Sequence, residues 1–269
     1  MKYIKGFLMA WGCFCRIPCP YRGWDEDNRY AMLNMFPLIG TAIGIVVSVA
    51  WLLLSLLGTG ALLTGALLTF CYFWLTGFIH LDGFMDCSDA VLSRRSPEER
   101  QRILKDSRVG AFAVISFCFM LLIFFVSMVS LTESFSLTKA AALCAVFTVS
   151  RELSAYNVIN RTPMQTSQYL KLSSCSGRKR GLPGLVVSAI IYLISVLLPA
   201  GGLICGNTCV IPVVLLCILL VQILLGSLVG RNMRKQLGGM SGDISGCMIV
   251  TGELTGILLL ALASGMTAL

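Results

Sequence analysis

Charged residues are scarce in this chain. They make up 13% of its 269 residues, and the stretch from Ala31 to Leu81 contains no Asp, Glu, Lys or Arg. Hydrophobic residues make up 57%, and the mean hydropathy is +0.84. A soluble globular domain carries about a quarter charged residues, so that class is excluded and a polytopic membrane protein remains. Sustained alternation of apolar and polar residues is missing too, which argues against a β-barrel and for continuous helices. There is one histidine, His80, and no CxxC pair among twelve cysteines, so no zinc-type ligand spacing is present. Cys71, Cys118, Cys144 and Cys217 lie inside apolar runs, where a free thiol acts as a small hydrophobe. Cys205 and Cys209 share one short segment and can pair only where that segment meets an oxidising compartment. The first twenty residues start basic but lack a small-residue cleavage site, which argues against a signal peptide. With no internal repeat and no low-complexity tail, residues 1–269 read as one membrane domain.

What is there is a series of long apolar runs. A spanning helix needs about 20 such residues. Runs near 36–57, 61–80, 109–132, 139–160 and 245–269, with two more in 181–230 divided at Pro199–Gly202, give about seven transmembrane helices. Ile4, Phe7, Leu8, Trp11, Phe14 and Cys15 follow helical spacing, so an interfacial amphipathic helix precedes them. The expected fold is an all-α helical bundle. With seven spans, nineteen of the 21 Lys and Arg fall on one side, and the positive-inside rule makes that side cytoplasmic. The formal net charge of +8 then reflects topology, anionic lipid and phosphate-bearing ligands rather than nucleic acid.

The long uncharged stretch ends in GFIHLDGFMDCSDA, which sets Asp82, Asp86 and Asp89 at i, i+4 and i+7. On a helix these form one stripe. Three mutually repelling carboxylates at the end of a span read either as a solvated helix face or as oxygen ligands for a divalent cation, Mg²⁺ where phosphates complete its shell. The following segment favours the second. Ser96-Pro97-Glu98-Glu99 has the form of a helix start. After it, Lys105, Asp106, Ser107, Arg108 and Gly110 place bases and a hydroxyl directly before the next span, which are phosphate grips beside an acidic site.

HLDGFMDCSDA followed by LKDSRVGAF resembles the paired motifs of the cobalamin synthase family, the adenosylcobinamide-GDP ribazoletransferases. FCRIPCP, MFPLIGTAIG and LGGMSGDISG followed by Glu253 are similar to further segments of that family, in the same order. The chain departs at Met85, Ala90 and Val250, the last where the family often carries a glutamate. The resemblance implies transfer of the cobinamide phosphate of adenosylcobinamide-GDP to α-ribazole or α-ribazole 5′-phosphate, with release of GMP. It also implies a bacterial or archaeal cytoplasmic membrane, with the site at the cytoplasmic face. Within that frame Asp82, Asp86 and Asp89 hold Mg²⁺, and Lys105 and Arg108 hold phosphate. Asp106 completes the metal shell or accepts the hydroxyl proton. His80 binds substrate or relays a proton, or else packs at a helix end.

Three other positions are substrate-binding candidates. Arg151 is an intramembrane base, unless the adjacent Glu152 or snorkelling satisfies it. Asp243 sits among Gly238, Gly239, Gly242 and Gly246 near Arg231, Arg234 and Lys235, which reads either as a nucleotide-phosphate cradle or as a glycine-rich turn. Glu253 lies in the last span. Two alternatives from other classes are a CDP-alcohol phosphotransferase of phospholipid synthesis and a cation transporter. The phosphotransferase signature needs an Asp where Ile79 stands. A transporter places its acids near the bilayer midplane. The oligomeric state stays open.

Overall fold

The structure is a computed structural model and describes residues 1–19, 21, 23–170, 184–186, 188–190 and 210–266. Among these the architecture is helical, with one isolated bridge between Pro163 and Met240. The helices are α1 (Lys2–Phe14), α2 (Arg29–Leu56), α3 (Ala61–Leu75), α4 (Ile79–Leu92), α5 (Pro97–Ile103), α6 (Ala111–Leu131), α7 (Leu137–Asn160), α8 (Val210–Leu237) and α9 (Gly242–Met266). The expected start at Ser96 is observed: its hydroxyl accepts from the Glu99 amide at 3.4 Å, with Pro97 in the first turn of α5.

Four helices, over Glu26–Leu56, Ala111–Leu131, Pro212–Leu237 and Gly242–Gly265, are long and apolar enough to cross a membrane. The expected second span differs. α3 ends at Leu75, and the chain bends by 88° into α4, with Gly77 and Phe78 both at φ +62°. The expected fourth span is α7. It is long enough but carries Lys139, Arg151 and Glu152, and it is buried along most of its length. Because it sits at the centre of the bundle against α2, α8 and α9, it has little lipid contact and no need of an apolar exterior. Of the expected fifth span only residues 184–186 and 188–190 are described, and they are helical; Cys205 and Cys209 lie outside the described residues.

Close packing at the centre rests on small residues. A Cβ at Gly40 would overlap the Phe147 carbonyl, and one at Gly44 would lie 2.8 Å from Cys144 Cα. The backbones of α2 and α7 therefore approach as small-xxx-small helices do. The Thr41 and Thr148 hydroxyls bond across the same interface at 2.8 Å. α1 also docks by its small side. Gly6, Met9 and Ala10 are buried, whereas Ile4 is exposed.

Basic segments share one end of the bundle. Arg100 donates to Gln236 Oε1 at 2.8 Å and Gln101 to the Leu237 carbonyl at 2.9 Å, tying α5 to the end of α8. Arg234 donates to Asn157 Oδ1 near the end of α7 at 2.7 Å. The Met164 amide donates to the Met240 carbonyl and the Met240 amide to the Thr162 carbonyl. These bonds pin the segment after α7 to the α8–α9 turn.

Candidate active site

The stripe begins immediately after the 88° break. Asp82 is exposed, and Asp86 and Asp89 are half-buried along α4. Two glycines let α4 cross α9 with little separation. A Cβ at Gly83 would lie 2.8 Å from the Asp243 carbonyl oxygen, and one at Gly246 would lie 2.8 Å from that of His80. This contact delivers Asp243 to the stripe, so that Asp82, Asp243 and Asp89 all crowd the Asp86 carboxylate. Among the described residues no ion pair reaches any of these four acids.

Asp243 is therefore regrouped. The cradle reading required free backbone amides in the glycine-rich turn. Instead the Gly238 and Gly239 amides donate to the Arg234 carbonyl, and the Met240 amide is used by Thr162. Gly238 and Gly239 are needed for their backbone, at φ +86° and +147°. The cradle reading rested on the basic neighbours of Asp243 in the chain; in space Asp243 lies near Asp82 and Asp86.

The two motifs meet at Gly110, the N-cap of α6. The Asp89 carboxylate occupies the space that a Cβ of Gly110 would fill. Asp89 thus lies at the positive end of a 21-residue helix, a favourable place for an anion. Lys105, Asp106 and Arg108 are exposed just before it. Arg108 donates to Asp106 from its amide at 3.0 Å, from Nε at 3.1 and 3.2 Å and from Nη2 at 2.7 Å. These bonds hold the Asp106 carboxyl down at about 2 and raise Arg108 above its ordinary value. A carboxylate so weakly basic is a poor proton acceptor; its geometric role is to aim the guanidinium.

His80 is buried, with Nε2 unpartnered; it stacks on Phe14 with centroids at 5.9 Å and meets Phe36 edge-on at 5.8 Å. The packed-histidine reading describes this placement. Arg151 and Glu253, expected on substrate, hold each other in the core with no side-chain exposure. Ser150 donates to Glu253 Oε1 at 2.9 Å, Tyr72 donates to Oε2, and Arg151 Nη1 also donates to the Phe147 carbonyl at 3.0 Å. Arg151 turns to Glu253 rather than to the adjacent Glu152, since successive residues point about 100° apart on a helix.

No three His, Cys, Asp or Glu groups among the described residues converge tightly enough to enclose an ion. The four-acid cluster still fits Mg²⁺. That ion keeps several waters and takes one or two carboxylates together with substrate phosphates, rather than an all-protein cage.

The model of the cobalamin-5-phosphate synthase family matches residues 6–261. A Clostridium botulinum protein named adenosylcobinamide-GDP ribazoletransferase is 34% identical over 94% of this chain and 95% of its own. Relatives of the same name are 35% identical in Clostridium perfringens and 31% in Geobacillus thermodenitrificans, each over 97% of this chain and 98% of its own. No solved structure matches the chain. The chain belongs to the cobalamin-5-phosphate synthase family.

Proposed function

We propose that this protein transfers the cobinamide phosphate of adenosylcobinamide-GDP to α-ribazole or α-ribazole 5′-phosphate. The products are adenosylcobalamin or its 5′-phosphate, and GMP. The observation that carries the reading is the gathering of Asp82, Asp86, Asp89 and Asp243 with no ion-paired counter-ion among the described residues, beside the exposed cations Lys105 and Arg108. The near full-length relatives favour this transferase over a phospholipid phosphotransferase or a cation transporter.

A ribose hydroxyl of the acceptor attacks the phosphorus next to the corrinoid. A new P–O bond forms, the bridging P–O bond of the diphosphate breaks, and its oxygen leaves on GMP. Phosphoryl transfer of this kind depends on positioning and charge neutralisation rather than covalent catalysis. One or two carboxylates of the Asp82, Asp86, Asp89 and Asp243 cluster would hold Mg²⁺, which when bound draws charge from the leaving diphosphate oxygen. Lys105 and Arg108 hold the diphosphate against the acidic cluster, with the Arg108 fork fixed by Asp106. A carboxylate of the cluster takes the hydroxyl proton. The buried Arg151–Glu253 pair fixes α7 against α9 beneath the site and does not touch substrate. The reaction takes place at the basic, cytoplasmic end of the bundle.

The direct test combines purified protein in detergent, both substrates and Mg²⁺, with chromatography for the cobalamin product and GMP. Product is expected with Mg²⁺, none with EDTA, and recovery on restoring Mg²⁺. Full turnover in EDTA would remove the metal assignment, and no turnover in any arm would remove the transferase.

A further inference from the structure

A second cavity, of about 500 Å³, lies between α1 and the segment that follows it. Its size falls within the range of small-molecule sites. Leu8, Ile17 and Pro18 give it apolar wall, and Tyr21 and Trp24 give it aromatic surface. One cation, Arg16, lines it, and no Asp, Glu, Asn or Gln does among the described residues. No carboxylate pairs with Arg16 among those residues. Its guanidinium carbon lies 5.2 Å from the centre of the Trp74 ring, a stacking that leaves the N–H groups at the guanidinium edge for an anion.

The cavity borders the site already described. The Arg16 amide donates to the carbonyl of Leu75, the last residue of α3, at 2.8 Å. Phe14, between two residues that line the cavity, stacks on His80, two positions before Asp82. Tyr169 also shares an electrostatic neighbourhood with Arg29, Cys13 and Asp243, and Cys13 lines the cavity.

We infer that this cavity is the acceptor subsite: the flat base lies on Trp24 and Tyr21, and a 5′-phosphate is held by Arg16. The inference rests on the transferase reading above. Guanosine of the donor is the competing occupant. A guanine edge carries N–H donors that a carboxylate or side-chain amide meets best, and no such side chain lines this cavity among the described residues. The glycosylated benzimidazole of ribazole has no ring N–H, so the aromatic surface of Tyr21 and Trp24 suits it. A guanidinium without a carboxylate partner suits a phosphate. Arg16 is then a specificity-determining residue that favours the phosphorylated acceptor over the free nucleoside.

The test uses the full chain in nanodiscs with saturating adenosylcobinamide-GDP and Mg²⁺. Arg16→Gln should raise KM for α-ribazole 5′-phosphate at least about tenfold, with little change for α-ribazole or for adenosylcobinamide-GDP. Arg16→Lys should recover most of that loss, which separates charge recognition from damage to the Trp74 contact. Trp24→Leu should raise KM for both acceptors. Equal changes for the two acceptors in Arg16→Gln, no change, or a change confined to the corrinoid substrate would overturn the assignment. Should the wild type form no cobalamin, the transferase reading falls and the cavity is judged by binding alone. Quenching of tryptophan fluorescence by α-ribazole 5′-phosphate, lost in Trp24→Leu, supports it. No quenching, or equally strong displacement by GMP or phosphatidylglycerol, refutes it.

Discussion

Gly110 owes its identity to a carboxylate 21 positions earlier in the chain. Asp89 fills the space of its missing Cβ, so Gly110→Ala must push Asp89 away from the acidic cluster. A fall of at least about tenfold in kcat/KM is expected, with protein yield retained. Gly60→Ala serves as the control, because nothing lies within 4 Å of a Cβ there. Equal losses in the two variants, measured by steady-state kinetics, would show that Asp89 has room to adjust. Asp106 gives a second residue-scale outcome. Its folded value of about 2 lies below its ordinary 3.8. The ionised, Arg108-bound form is therefore favoured above the ordinary value, and that preference disappears as pH falls through about 2. Nothing about Asp106 titrates between pH 5 and 9. Asp106→Asn should thus lower kcat/KM about tenfold by freeing Arg108, while leaving the shape of the pH–rate profile between pH 5 and 9 unchanged. A change of shape in that range would make Asp106 the proton acceptor after all.

At the scale of elements, the buried pair of Arg151 and Glu253 joins α7 to α9, and Tyr72 and Ser150 bring α3 and a second residue of α7 to the same carboxylate. Removing one partner of such a pair leaves an uncompensated buried charge, at about 3–5 kcal/mol, whereas replacing both by well-packed neutral residues is often neutral. Arg151→Met should therefore lower the thermal midpoint in detergent sharply, and Arg151→Met with Glu253→Gln should recover most of it with substrate KM near wild type. A stable double variant with a greatly raised KM would return Arg151 or Glu253 to the substrate. The pair also marks where sequence reading stops. The apolar runs of α2 and α6, the cap at Ser96 and the acid stripe were legible because each is written in neighbouring residues. The Arg151 partner lies 102 positions away, and Asp243 lies 157 positions after Asp86, so neither contact leaves a local signal. Nor does the α3–α4 break. Its left-handed backbone falls on Phe78 as well as Gly77, and a bulky residue there is imposed by the surrounding structure rather than by its own preference. α7 read correctly as a long helix, but its central place became visible only when its charged residues proved to be shielded by neighbours.

For the molecule as a whole, the break decides how the site meets the membrane. At 1.5 Å per residue, the 15 residues of α3 rise about 22 Å, short of a hydrocarbon core of about 30 Å. The chain therefore turns after α3 alone has risen less than a full crossing, and the acids of α4 follow directly on the bend, Asp82 exposed and Asp86 and Asp89 half-buried. The proposed cytoplasmic placement of the site draws on the basic segments, which are tied together at one end of the bundle through Arg100–Gln236, Arg234–Asn157 and Met164–Met240. The turn over 57–60 at the other end of α2 has no charge. Positive charge is retained on the cytoplasmic side, the side on which a diphosphate-bearing corrinoid would be met without having to cross the bilayer. Reporter fusions after Gly58 and after Ser134 should consequently report the outer side, and fusions after Arg95 and Leu237 the cytoplasm. A cytoplasmic signal at Gly58 would invert α2 and α3 together and carry the aspartates to the outer face, where neither the charge pattern nor the proposed substrates would place them.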